Sequence, residues 1–120
     1  MTTGELNSAV RRVGEVAVVD LVGDVNRGAE AALTRAWEEA MRDRPAAVVL
    51  NFSDAGYINS TGIALIVGVL ARARAEGITL RAFGLTPHYQ EIFEITRLAD
   101  YLAITTDEDS AVGGAERSKT

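Results

Sequence analysis

Two short, almost unbroken apolar runs, "VAVVDLV" at residues 16–22 and "AAVVLNF" at residues 46–52, constrain the fold more than any other feature of the sequence. Runs of this length, rich in Val and Leu with little polar alternation, are typical of strands covered on both faces of a sheet. Between them, apolar residues fall at Ala29, Ala32, Leu33, Ala36, Trp37, Ala40 and Met41 with charges in the gaps, the spacing of an amphipathic helix of about three turns that Pro45 ends near Arg44. A strand, a helix and a strand in that order predict a right-handed crossover with the two strands parallel.

The flanking segments extend this pattern. Residues 8–13 and 16–22 are separated only by Gly14 and Glu15, which predicts a hairpin and places the first strand at a sheet edge. After residues 46–52 comes an expected loop containing Gly56, a second helix over 60–75, a turn at Gly77 and a strand "ITLRAF" at 78–83. "GLTPH" opens a third helix, with Thr86 as N-cap, Pro87 at the first helical position and Tyr89, Ile92 and Phe93 on one face. A short strand is expected near 101–105, and a closing turn or short helix at 107–112. Residues 1–112 are read as one domain and 113–120 as a polar, disordered tail. The expected order is β, β, α, β, α, β, α, β with a closing α. Functional positions in such sheets lie where strands hand over to helices, which nominates the loops 23–28, 53–59 and 84–87.

Composition removes several function classes. The chain of 120 residues has a net charge of −5 and a single lysine, Lys119, so it lacks the clustered cations that neutralise nucleic-acid phosphates. It has no cysteine, which excludes thiol catalysis and disulfides and fits a reducing, cytoplasmic setting. Its longest apolar run, 63–71, is about half of what a membrane span needs. The one imidazole, His88, sits at a helix start with no guanidinium nearby to hold a phosphate, and no glycine-rich phosphate loop is present. Neither an enzyme activity nor a cofactor is expected.

The stretch "YINSTGIALIVG" at 57–68 is where chemistry is expected. Asn59, Ser60 and Thr61 are three capping-type residues where one suffices, and Gly62 costs roughly 0.8–1 kcal/mol of helix propensity relative to Ala. Such a glycine makes sense where another protein approaches the backbone closely. The apolar residues that follow either pack the core or leave some surface for a partner.

The stretch "VVLNFSDAGYINSTGIALIVGVLARARAEGITLRAFG" resembles STAS domains, specifically bacterial anti-sigma factor antagonists, or anti-anti-sigma factors. The likeness covers about residues 9–112 and includes the initial hairpin and the "LVGDVN" turn. It implies an α/β fold with a small mixed sheet, an N-terminal hairpin and helices mainly on one face. It also implies partner switching in transcription regulation and stress response. The unphosphorylated antagonist binds an anti-sigma factor that is a serine/threonine kinase of the histidine-kinase-like ATPase fold, a sigma factor is released, and phosphorylation at the motif reverses this until a phosphatase resets it. ATP belongs to the kinase. The resemblance nominates Ser60 and Thr61 as phosphate acceptors and Asp24, Asn26, Asp54, Tyr57, Asn59, Ser60, Thr61, Gly62 and Ile63 as the partner-binding surface. Alignment through Gly62 favours Thr61, other family members favour Ser60, and Ser60 is placed slightly ahead.

Two positions depart from the family pattern: Asn59 and Asn26 stand where the family has acids. If those carboxylates position the kinase or its Mg²⁺, the amides weaken phosphorylation while still making hydrogen bonds. The alternative reading is therefore a STAS scaffold or interaction module of a stressosome-like or lipid-transport assembly, without a phosphate cycle. Whether the chain forms a homodimer is left open.

Overall fold

Gly14 adopts a φ of 62° and turns the chain between β1 (Asn7–Val13) and β2 (Val16–Val25), using the left-handed conformation that glycine takes without steric cost in two-residue hairpins. The computed structural model describes residues 5–117. Beyond the hairpin, the chain alternates through α1 (Glu30–Met41), β3 (Ala47–Ile58), α2 (Ser60–Ala75), β4 (Thr79–Phe83), α3 (Pro87–Ile95), β5 (Ala103–Thr105) and α4 (Glu108–Arg117). The strands lie in the order β1-β2-β3-β4-β5, antiparallel between β1 and β2 and parallel across the rest. This is the mixed sheet with an edge hairpin that the sequence pattern predicts.

The near-continuous apolar strands are explained by two cores. On one face, Ala17, Val19, Leu21, Val48, Leu50 and Phe52 pack under α1, α2 and α3. Phe93 of α3 is fully buried and meets Phe52 edge to face, with ring centroids 6.1 Å apart, a geometry that contributes about 0.5–1.5 kcal/mol beyond burial. On the other face, Val16, Val18, Ala47, Val49 and Phe83 pack with Ala111 and Val112 of α4. Among the described residues, three α-helices therefore cover one face and one covers part of the other. Polar contacts clasp α4 to the sheet edge, because Arg11 on β1 binds Asp20 of β2 through Nε at 2.7 Å and Glu108 of α4 through Nη1 at 2.9 Å.

Three element boundaries differ from the sequence pattern. α4 continues past Val112 through Gly113 and Gly114 to Arg117, where a disordered tail was expected from 113; residues 118–120 of that tail lie outside the described residues. At position 114 this helix passes close to β4, where a Cβ would sit 2.6 Å from Nη2 of the Arg81 side chain. The second difference is that β3 runs on to Ile58, so residues 53–58 are strand and not loop. Residues 23–25 are likewise strand, pairing Gly23 with Ala55 and Val25 with Ile58. Turn-forming Ser53, Asp54 and Gly56 are overridden by this pairing, which goes on after β4 has stopped pairing at Asn51 and β1 at Val22. The result is a two-stranded ribbon extending beyond the body of the sheet at its carboxyl edge.

Candidate functional site

The ribbon leads directly into α2. Its register is irregular, with shifts between Asp20 and Val22 and again between Gly23 and Val25, so ladder bonds alone do not hold it. Side chains complete the job. The Asp24 carboxylate accepts from the Tyr57 N–H at 2.8 Å, the Tyr89 hydroxyl accepts from the Ile58 N–H at 3.0 Å, and the Val25 carbonyl accepts from the Asn59 N–H at 3.2 Å. Three consecutive amides are thus bound from β2 and from α3. Gly56 makes the first of these contacts fit, because a Cβ there would lie 2.2 Å from the Asp24 Oδ1.

Asn59 ends this run and begins the helix. Its backbone is extended, with φ −90° and ψ −177°, and its side-chain oxygen accepts from the Gly62 N–H at 2.8 Å while its carbonyl accepts from the Ile63 N–H at 2.9 Å. Of the three capping-type residues, Asn59 is therefore the N-cap. Ser60 and Thr61, in the first turn, are exposed. Their hydroxyls are not spent on closing the helix end, and unpaired helix-start amides with the positive end of the helix dipole lie beside them. Asn26 does similar work at the start of the 3-10 turn Arg27–Ala29, where its Oδ1 accepts from the Gly28 N–H at 3.0 Å. At both positions an amide stands where the resembling family has an acid, and in both the amide serves as a cap, a role in which Asn and Asp are nearly equivalent.

The nominated residues divide into two groups. Asp24, Tyr57, Asn59, Ser60 and Thr61 are brought together at the ribbon tip and helix start, Asn26 lies one residue beyond the Val25 that backs them, and Asp54 is exposed farther back on the ribbon. Gly62 and Ile63 face inward. The space that a side chain at 62 would need is taken by this chain's own backbone, with a Cβ falling 1.9 Å from the Val25 carbonyl oxygen, so the expectation of an outside protein approaching Gly62 is corrected. Ile63 is half-buried and packs on the larger core, and so does most of the apolar surface of α2, through Leu65, Ile66, Val69 and Leu70; Val67 is 45% exposed. The residue that sequence reasoning missed is Tyr89. It was placed correctly on the apolar face of α3, but nothing local signals that its hydroxyl reaches an amide 31 residues away.

The largest exposed apolar side chain at the site is Tyr57, 79% accessible although its own backbone is tied down. Among the described residues no group of three or more His, Asp and Glu side chains could hold a metal ion, and no helix is long and apolar enough to cross a membrane.

A family model described as "Mlab, STAS domain" matches residues 8–105. No curated protein sequence matches the chain. Among solved structures, an anti-sigma factor antagonist from Mycobacterium paratuberculosis is similar over 96% of this chain and 97% of its own, with a TM-score of 0.78 and 18% identity. The Bacillus cell fate determinant SpoIIAA in its phosphorylated form is similar over 86% of this chain and 95% of its own, with a TM-score of 0.65 and 18% identity. A chain from the stressosome, described as a signal integration and transduction hub, is similar over 92% of this chain and 97% of its own, with a TM-score of 0.72 and 10% identity. At these identities the likeness is one of fold.

Proposed function

This chain belongs to the STAS domain family, and from that premise we propose that it is an anti-sigma factor antagonist, docking through the ribbon tip and the start of α2 and released by phosphorylation there. Its partner in this reading is an anti-sigma factor serine/threonine kinase of the histidine-kinase-like ATPase fold, whose capture frees a sigma factor. The observation that carries the proposal is the division of labour at the helix start: Asn59 caps, and Ser60 and Thr61 remain exposed with hydroxyls to spare.

The chemistry follows from that arrangement. The oxygen of Ser60 or Thr61 attacks the γ-phosphorus of the kinase's ATP, the bond to the β-phosphate oxygen breaks, ADP leaves, and the hydroxyl proton passes to a base on the kinase. The product carries about −1.5 to −2 charges in the first helical turn, where the dipole and open amides favour an anion, so the fold tolerates it. In a closed interface the same charge must be desolvated, and docking is opposed. A phosphatase that hydrolyses the phosphoester restores the docking form. The amide at position 59 is compatible with this cycle, since its role within the chain is the cap.

Incubation with such a kinase and ATP tests the proposal by intact mass. One phosphoryl group should be added to the native chain, and either Ser60→Ala or Thr61→Ala, but not both, should abolish it. The scaffold reading, favoured by the fold likeness to a stressosome chain, predicts the opposite: no phosphoryl transfer, and partner binding indifferent to Ser60→Asp and Thr61→Asp. That pair of results would rule out the switch.

A further inference from the structure

We infer that Tyr57 is the aromatic anchor of the docking surface, inserted into an apolar pocket of the kinase, and that Asp24 and Tyr89 are the positioning residues that hold it aligned before the partner arrives. The inference rests on the proposed function, because it takes the partner to be the protein that reaches Ser60 or Thr61.

Three observations converge on this residue. The ring is 79% exposed, whereas the backbone beneath it is bound at three successive amides, to the Asp24 carboxylate, the Tyr89 hydroxyl and the Val25 carbonyl. An exposed aromatic on a mobile loop would lose freedom on binding, but one on a backbone already fixed loses only the rotation of its own side chain. Position supplies the second argument. Tyr57 lies three residues before Ser60, at most about 11 Å along the chain, while a stable protein interface covers about 800 Å² on each partner. A kinase that brings ATP to Ser60 or Thr61 therefore covers Tyr57 as well.

The third argument is that, among the described residues, the ring belongs to neither apolar core, and at 79% exposure its removal leaves no cavity. Large aromatics that bury on association are the side chains on which binding energy concentrates. The neighbouring apolar side chains of α2 do not compete for this role, because Ile63 and Leu65 already pack inward.

The test uses the full chain and an anti-sigma factor kinase of the histidine-kinase-like ATPase fold, with binding measured by titration calorimetry and transfer by steady-state kinetics. Tyr57→Ala should weaken binding about 30-fold or more and raise the KM for this protein as phosphate acceptor, with kcat little changed, since the lost contact is made equally before and during transfer. Tyr57→Phe should restore binding to within about 3-fold, because the ring carries the contact. Asp24→Ala and Tyr89→Phe, which each leave one amide of the segment without its acceptor, should weaken binding by about 3- to 10-fold while Tyr57 itself is intact. Thermal unfolding of Tyr57→Ala should coincide with that of the native chain, showing that the change is not loss of fold. Native-like affinity and KM for Tyr57→Ala, with the native chain bound and phosphorylated, would overturn the anchor and leave the proposed function standing. Conversion of a native dimer to monomer by Tyr57→Ala, with kinase affinity unchanged, would overturn it in favour of a second copy as occupant. Failure of the native chain to bind or be phosphorylated by any such kinase would overturn the proposed function, and the anchor with it.

Discussion

The two halves of β3 are built on opposite plans. From Ala47 to Phe52 the side chains are buried, apart from half-buried Asn51, and the strand pairs regularly with β2 and β4. From Ser53 to Ile58 the side chains are mostly exposed, the register to β2 shifts, and side chains from other elements bind the backbone. The first half is held by what its side chains bury, and the second by what its amides donate to. That difference leaves the side chains of the second half out of the core, which is how a strand can be well ordered and still expose Tyr57 just before the helix that carries Ser60 and Thr61.

Leu50→Ala against Tyr57→Ala is the sharpest way to break the comparison. Leu50 is 3% exposed in the larger core, and its truncation should cost about 3 kcal/mol, roughly 12 °C in the thermal midpoint of a domain this size. Tyr57→Ala should stay within about 0.5 kcal/mol of the native chain in urea unfolding. Comparable losses at the two positions would mean that the ribbon is held by side-chain burial after all. Gly62→Ala tests the join between ribbon and helix. Its methyl would overlap the Val25 carbonyl, so a loss of about 2–3 kcal/mol is expected in the same experiment, although alanine is the better helix former. A gain in stability would show that the ribbon can move away from α2.

The same contrast governs how much of the molecule could be read in advance. The strand and helix order, the hairpin, and the cap at Thr86 are local matters, written in apolar periodicity and in Gly14, Thr86 and Pro87. The continuation of β3 was not legible, because Ser53, Asp54 and Gly56 are turn formers and only the pairing with residues 22–25 makes them strand. At the site, the sequence narrowed the cap to Asn59, Ser60 or Thr61, and geometry selected Asn59. The reason for Gly62 lies 37 positions away, at Val25, and the support from Tyr89 comes from another helix. Contacts of this kind leave no periodic trace. The helical state of Gly113 and Gly114 runs against local propensity for a similar reason, since it depends on packing over β4.

Asn59 provides a smaller effect and tells its two roles apart. Asn59→Ala removes the oxygen that accepts from the Gly62 N–H and should cost about 1 kcal/mol, whereas Asn59→Asp keeps a cap acceptor and should change stability by only a few tenths of a kcal/mol. Both variants leave Ser60 and Thr61 in place. If Asn59→Asp instead raised the rate of phosphoryl transfer several-fold with unchanged stability, the carboxylate found in the family at this position would have a role toward the kinase beyond capping.

The smallest effect is expected where the regular sheet gives way to the ribbon. Asp20 stands at the first register shift, accepting from Arg11 Nε at 2.7 Å and from Asn51 Nδ2 at 2.8 Å, and Glu108 of α4 shares the same guanidinium. The hydrogen bonds from Arg11 hold both carboxyls below their ordinary range, against the opposing cost of partial burial, and a further bond from Asn51 lowers Asp20. Arg11 is itself raised and stays charged at any working pH, so it contributes no pH dependence of its own. Because the folded state binds protons less readily at these two groups than the unfolded chain, their stabilisation is complete above the unfolded carboxylate range near pH 4 and is lost as the pH falls through the lower folded values. Both partners of the clasp are substantially exposed and screened by water, so the loss should be a few tenths of a kcal/mol. Arg11→Met should therefore lower the thermal midpoint slightly at pH 7, the difference should shrink progressively as the pH falls below about 4, and raised salt should shrink it at pH 7. Hydrogen exchange sharpens the comparison further: in Arg11→Met, faster exchange should be confined to α4 and the sheet edge it clasps, while the amides of Tyr57, Ile58 and Asn59, bound by Asp24, Tyr89 and Val25, keep their native protection. Loss of protection at those three amides as well would mean that the ribbon depends on the body of the sheet and not on its own polar contacts.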